Sequence, residues 1–153
     1  MATNEKLADV LNNLIAINND RIEGYDKAAE ETRNIDIDLQ AIFTKMADES
    51  RKYKSELAAE VTRLGAETEK GTTGMGKVYR VWMDIKAAFT GKDRKGILES
   101  CEFGEDAAQK AYKEALASDA EIDAETRQLI TSQQASLKTS HDLIKKYRDM
   151  HKD

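Results

Sequence analysis

The stretch LNNLIAINNDRIEGYDKAAEE, residues 11–31, decides how the rest of the chain is read. Leu11, Ile15, Asn18, Ile22, Tyr25 and Ala29 recur at intervals of four, three, four, three and four residues. That spacing puts all six on one face of an α-helix, whereas a half-buried strand would alternate at every second residue. The stripe is apolar except at Asn18, so the buried face carries a polar group. The pattern predicts a helix from about Thr3 to Arg33, broken at Asn34.

The same spacing returns downstream. Leu39, Phe43, Met46, Ser50, Tyr53, Leu57, Val61 and Leu64 define a second helix. Asp36 or Asp38 is suited to cap its start, and Gly65 stands where a C-terminal glycine is wanted. Beyond the loop GAETEKGTTGMG, residues Val78, Val81, Trp82, Ile85 and Phe89 make a short amphipathic helix. A third long helix follows a cap at Asp93 and continues to about Ala117. A fourth starts near Asp123 and continues through Ile130, Leu137, Ile144 and Tyr147 almost to the end.

Composition agrees with a wholly helical chain. There is no proline, and charged residues make up 35% of the sequence with both signs interleaved. β-Branched and aromatic residues, which strands prefer, are sparse. A length of 153 residues suits a single domain, 1–153, with one core. The net charge of −5 without a basic face argues against nucleic acid as a partner. Apolar runs are too short for a membrane span, so no membrane is expected as a partner. The N-terminal residues do not read as a secretory signal. One cysteine excludes an internal disulfide and points to a cytoplasmic location.

The fold class expected is therefore all-α. Tight joints within the first and second pairs of long helices predict two antiparallel hairpins. A long crossover containing the short helix joins them, which is the connectivity of a ferritin-like four-helix bundle. The stretches LNNLIAINNDRIEGYDKAAEE, GMGKVYRVWMDIKAAFTGKD, ILESCEFGEDAAQKAYKEAL and SLKTSHDLIKKYRD resemble a bacterial ferritin-like family of unknown function. The likeness extends over nearly the whole chain. It implies a compact cytoplasmic bundle grouped with stress-associated bacterial proteins, and it brings no established reaction.

The candidate chemistry lies in CEFGEDAAQKAYKEAL, residues 101–116, where Glu102 and Glu105 share a helical face. A di-iron centre in such a bundle takes two glutamates from one pair of helices and two Glu-x-x-His units from the other. The chain has only His141 and His151. Lys138 stands three residues before His141, and the second helix offers Glu49-x-x-Lys52 without a histidine. An intact di-iron centre, a catalytic residue and a bound cofactor are accordingly not expected. The alternative is a metal-binding oxidoreductase or storage protein that holds iron or manganese with Glu23, Glu49, Glu102, Glu105 and His141.

The favoured reading is a polar core layer of Asn18, Ser50, Glu102, Glu105, Gln134 and Lys138. A carboxylate inside a bundle must be paired or protonated, and Lys138 is the cation expected to neutralise the two glutamates. Lys138→Met is then expected to cost stability or to raise metal affinity. The resulting function is a structural or interaction role linked to stress, with homodimer formation through the Trp82 helix or a bundle face. A small-molecule binder using the bundle interior is the third class. The glycines of KGTTGMGK lack the phosphate-loop pattern and a preceding strand, so they read as crossover. Ser140, His141 and Asp142 point about 100° apart on a helix and cannot form a catalytic relay. Cys101 reads as a small buried hydrophobe.

Overall fold

The computed structural model describes residues 2–33, 36–68, 94–118 and 120–150. The short helix expected around Trp82, the cap at Asp93 and His151 lie outside them. Among the described residues there are four helices: α1 (Ala2–Thr32), α2 (Ile37–Arg63), α3 (Arg94–Leu116) and α4 (Ala124–Met150). They form an all-α four-helix bundle in which α1 and α2 make one hairpin and α3 and α4 the other. No helix among them is long and apolar enough to cross a membrane.

Local chemistry accounts for the helix ends. Of the two candidate aspartates, Asp36 caps α2: its Oδ1 accepts from the backbone N–H of Asp38 at 3.0 Å and of Leu39 at 3.1 Å. Those are donors that the first helical turn cannot satisfy internally. Gly65 adopts φ +78° just past the end of α2. Its N–H reaches Thr62 O at 2.9 Å and that of Ala66 reaches Val61 O at 3.2 Å, the paired bonds of a Schellman ending. Just before α4, Asp123 accepts from Thr126 N at 3.3 Å, and hydrogen bonding from the Thr126 side chain first, then from its backbone, depresses the Asp123 carboxyl pKa.

The interior is two apolar clusters stacked along the bundle. The first gathers Leu7, Leu11, Leu14, Ile15 and Ile17 of α1 with Leu57 and Val61 of α2, Ala108 and Tyr112 of α3, and Ile130 and Leu137 of α4. The second gathers Tyr25, Ala28, Leu39, Phe43, Met46, Ile97, Leu98, Cys101 and Ile144. Each fully buried large aliphatic or aromatic side chain contributes about 1.5–3 kcal/mol relative to exposure. Small residues on α3, among them Cys101, Gly104, Ala108, Ala111 and Ala115, are all buried and let its neighbours approach closely.

The inward faces follow the sequence pattern through Val61 on α2, with Leu64 half-buried, and at five of the six stripe positions of α1, and depart from it at Ile22 and on α4. Leu39, Phe43, Met46, Ser50, Tyr53, Leu57 and Val61 are all buried, as the spacing requires. On α1, residues 14–21 are buried without interruption, while Ile22 is only half-buried. On α4 the buried line is Thr126, Ile130, Gln133, Leu137, Ser140 and Ile144. That line is rotated by about one residue, roughly 100°, from one containing Gln134, Lys138 and His141.

Candidate functional site

Between the two apolar clusters lies a polar layer to which every helix contributes. Asn18 and Arg21 come from α1, Ser50 from α2, Glu105 from α3, and Ser140 from α4; all are buried. At its centre, Arg21 Nε donates to Glu105 Oε1 at 2.6 Å, with both side chains 0% exposed. Arg21 Nη1 donates to Ser50 Oγ at 2.5 Å. The guanidinium carbon also lies 5.1 Å from the Tyr25 ring centroid, and Tyr25 stacks on Phe43 with centroids 5.8 Å apart. One cation therefore touches α2, α3 and an aromatic pair at once.

A second polar line runs below it. Asn18 Nδ2 donates to Leu14 O at 2.9 Å and to the Tyr112 hydroxyl at 2.8 Å. The Tyr112 hydroxyl donates to Gln133 Oε1 at 2.7 Å. Gln133 Nε2 completes the circuit on α2, reaching Tyr53 O at 3.3 Å and Glu56 Oε1 at 3.2 Å. Gln133 also lines a groove of about 310 Å³ between α2 and α4, whose other walls include Tyr53, Glu56, Leu129 and Ser136.

Burial shapes the ionisation of these groups. Burial alone disfavours the Arg21 charge, but Glu105 beside it more than compensates and holds the guanidinium above its ordinary pKa. Burial, reinforced by Glu105, pushes the Tyr25 hydroxyl and the Cys101 thiol well above their usual ranges. Burial likewise raises Tyr112. For an acid whose folded pKa is raised, the unfolded chain loses its proton first, so stability is lost with rising pH. Chemical denaturation in buffers of increasing pH should show the midpoint falling once pH passes about 9, the ordinary thiol value, and more steeply above about 10, the ordinary tyrosine value.

The structure distributes the expected site residues among several places. Asn18, Ser50 and Glu105 lie in the buried layer. Glu102 is half-buried and paired with Arg148 of α4. Gln134 is half-buried and contributes its backbone carbonyl, which accepts from Gln109 Nε2 at 3.2 Å. Glu23 is exposed on α1. Glu49 is half-buried, at the 3.4 Å limit of hydrogen bonds from Tyr53 and Ser140. His141 lies at the α3–α4 edge, its Nε2 2.5 Å from Asp106 Oδ1.

Lys138 requires a correction. Its side chain is 68% exposed and pairs with Asp142 at 3.2 Å, one turn along its own helix. The neutralising cation is Arg21, and Glu102 and Glu105 take different partners. The cause is the rotation of α4, which turns Gln133 and Ser140 inward in place of Gln134 and Lys138. Exposed i,i+4 pairs contribute about 0.3–0.5 kcal/mol. Lys138→Met is thus expected to change stability by no more than about 0.5 kcal/mol in urea denaturation.

Arg21 was also legible in one respect. It is three residues after Asn18 and four before Tyr25, so it satisfies the helical spacing as well as Ile22 does. Hydrophobicity favours Ile22; the need of a buried Glu105 for a cation favours Arg21.

Comparison with known proteins agrees with this architecture. No curated protein matches the chain. Among solved structures, it is similar to a mutant of Mycobacterium smegmatis Dps1, at 13% identity and a TM-score of 0.75. The match covers 96% of this chain and 97% of that one, which shows a shared ferritin-like fold. A family model described as "Domain of unknown function (DUF2383)" matches residues 6–118. Because that model spans most of the sequence, the chain belongs to the DUF2383 family.

Proposed function

We propose that the protein is a cytoplasmic bacterial bundle with a structural or interaction role in the stress response and no di-iron centre in its interior. The observation that carries this reading is the Arg21 guanidinium, seated between Glu105 and Ser50 in the layer that all four helices share. A di-iron group needs several inward carboxylates and imidazoles. The described groups of this layer are the buried Glu105 carboxylate with half-buried Glu49 at its edge, one guanidinium, hydroxyls and amides, a set without an imidazole that does not suit such a group. A guanidinium supplies the positive charge that a metal ion otherwise would. The stress connection rests on the resemblance of the sequence segments to stress-associated bacterial proteins.

The test is metal analysis of protein purified without chelator, combined with an iron-oxidation assay. The expected result is no iron or manganese whose retention depends on Glu49 or Glu105, and no oxidation above that of free ferrous ion. Stoichiometric iron or manganese, lost in Glu105→Gln, would replace this reading with an oxidoreductase or storage function.

A further inference from the structure

The α3–α4 edge carries a second constellation, separate from the buried layer. One ligand atom each from Glu102, Asp106 and His141 lie within 4.8 Å of one another. Glu102 and Asp106 are one turn apart on α3, so their carboxylates share a face. His141 reaches them across the hairpin from α4, with its side chain 19% exposed.

The imidazole itself shows why this edge calls for a cation. Both ring nitrogens face carboxylate oxygens: Nε2 lies 2.5 Å from Asp106 Oδ1, and Nδ1 lies 3.3 Å from Asp142 Oδ1. A neutral imidazole has one N–H, so one of those contacts would oppose a nitrogen lone pair to a carboxylate. A second proton removes that conflict, and so does a metal ion accepted by Nε2. In the second case Nδ1 keeps its proton and donates it to Asp142, the arrangement in which a carboxylate orients a metal-binding histidine. Lys138 in turn holds Asp142 at 3.2 Å.

We propose that Glu102, Asp106 and His141 bind one divalent first-row transition cation. One nitrogen and two carboxylate oxygens suit zinc, which also stands above manganese and ferrous iron in intrinsic affinity. Asp106 must swing back from His141 to admit the ion, and its side chain is 59% exposed. Glu102 has two oxygens and can present one to the ion while the other stays on Arg148. Bound metal would cross-link the two helices of the second hairpin without touching the Arg21–Glu105 pair.

Calorimetric titration of the chelator-treated, desalted full chain with zinc chloride tests this, with cobalt absorption as a spectroscopic check on nitrogen ligation. One zinc per chain is expected. His141→Ala and Asp106→Asn should each abolish saturable binding or weaken it at least about tenfold, and Asp142→Asn by roughly 10–100-fold. His151→Ala should bind as the unaltered chain does. Circular dichroism melts of the apo variants establish that each is folded, as expected for partly exposed positions. Absence of saturable zinc binding, or equal affinity in folded His141→Ala, would overturn the proposal. Neither result bears on the interior, whose test depends on Glu105.

Discussion

Arg21→Met is expected to lower unfolding stability by about 3–5 kcal/mol, read as a shift of the urea midpoint with little change in slope. Single domains are stable by only about 5–15 kcal/mol, so the variant sits near the threshold of folding. The loss comes from what remains behind more than from the bond removed. Glu105 is fully buried on α3, and without the guanidinium it holds an uncompensated charge or must take up a proton. Ser50 loses the donor at its Oγ, and the Tyr25 ring loses the cation above it.

The companion variant separates that account from a simple packing defect. In Arg21→Met combined with Glu105→Leu, both charges leave together and an apolar pair fills the layer. Such replacements are often neutral or stabilising by about 1–4 kcal/mol. The double variant is therefore expected to recover most of the loss. A double variant as unstable as Arg21→Met alone would show that shape, not charge balance, governs this layer. The layer's contribution is then to register: Arg21 bonds to α2 and α3 together, so sliding α1 by one turn would strand both partners.

Tyr112→Phe is expected to cost about 1–3 kcal/mol by the same measurement. The ring stays and no cavity opens, so the effect isolates the hydroxyl. That oxygen accepts from Asn18 at 2.8 Å and donates to Gln133 at 2.7 Å. Removing it leaves the Gln133 carbonyl without its α3 donor and deprives Asn18 of one of its two acceptors. Adding Gln133→Leu to Tyr112→Phe would remove the stranded acceptor, but it also frees Tyr53 O and Glu56. The pair should consequently couple by about 0.5–3 kcal/mol in a double-mutant cycle. A coupling near zero would sink the idea of one continuous line across the bundle.

Much of the architecture was legible before any packing was known. The stripe on α2 from Leu39 to Val61 is the buried face as it stands. Asp36, as one of two candidate aspartates, and Gly65 marked helix ends, because capping depends on chemistry within a few residues. Glu105, Asn18 and Ser50 stood out as polar positions inside apolar stripes. The cation was misassigned because α4 admits two inward faces about 100° apart, one with Lys138 and one with Ser140. Both include Leu137, and periodicity cannot choose between them. The Glu102–Asp106–His141 grouping was half visible. Asp106 is exposed, and only the approach of α4 gives it a histidine neighbour.

By itself the sequence determined the four long helices, their order and the ends marked by Asp36 and Gly65, since these follow from spacing and capping within single segments. Tertiary structure alone decided which side chain faces which. Arg21 and Glu105 are 84 residues apart in the chain, and the charge of each is tolerable inside only because the other is there. Turning a helix by one residue costs its own backbone nothing. The choice between Arg21 and Ile22, or Ser140 and His141, therefore belongs to the neighbouring helices, which must satisfy every buried charge and hydrogen bond together.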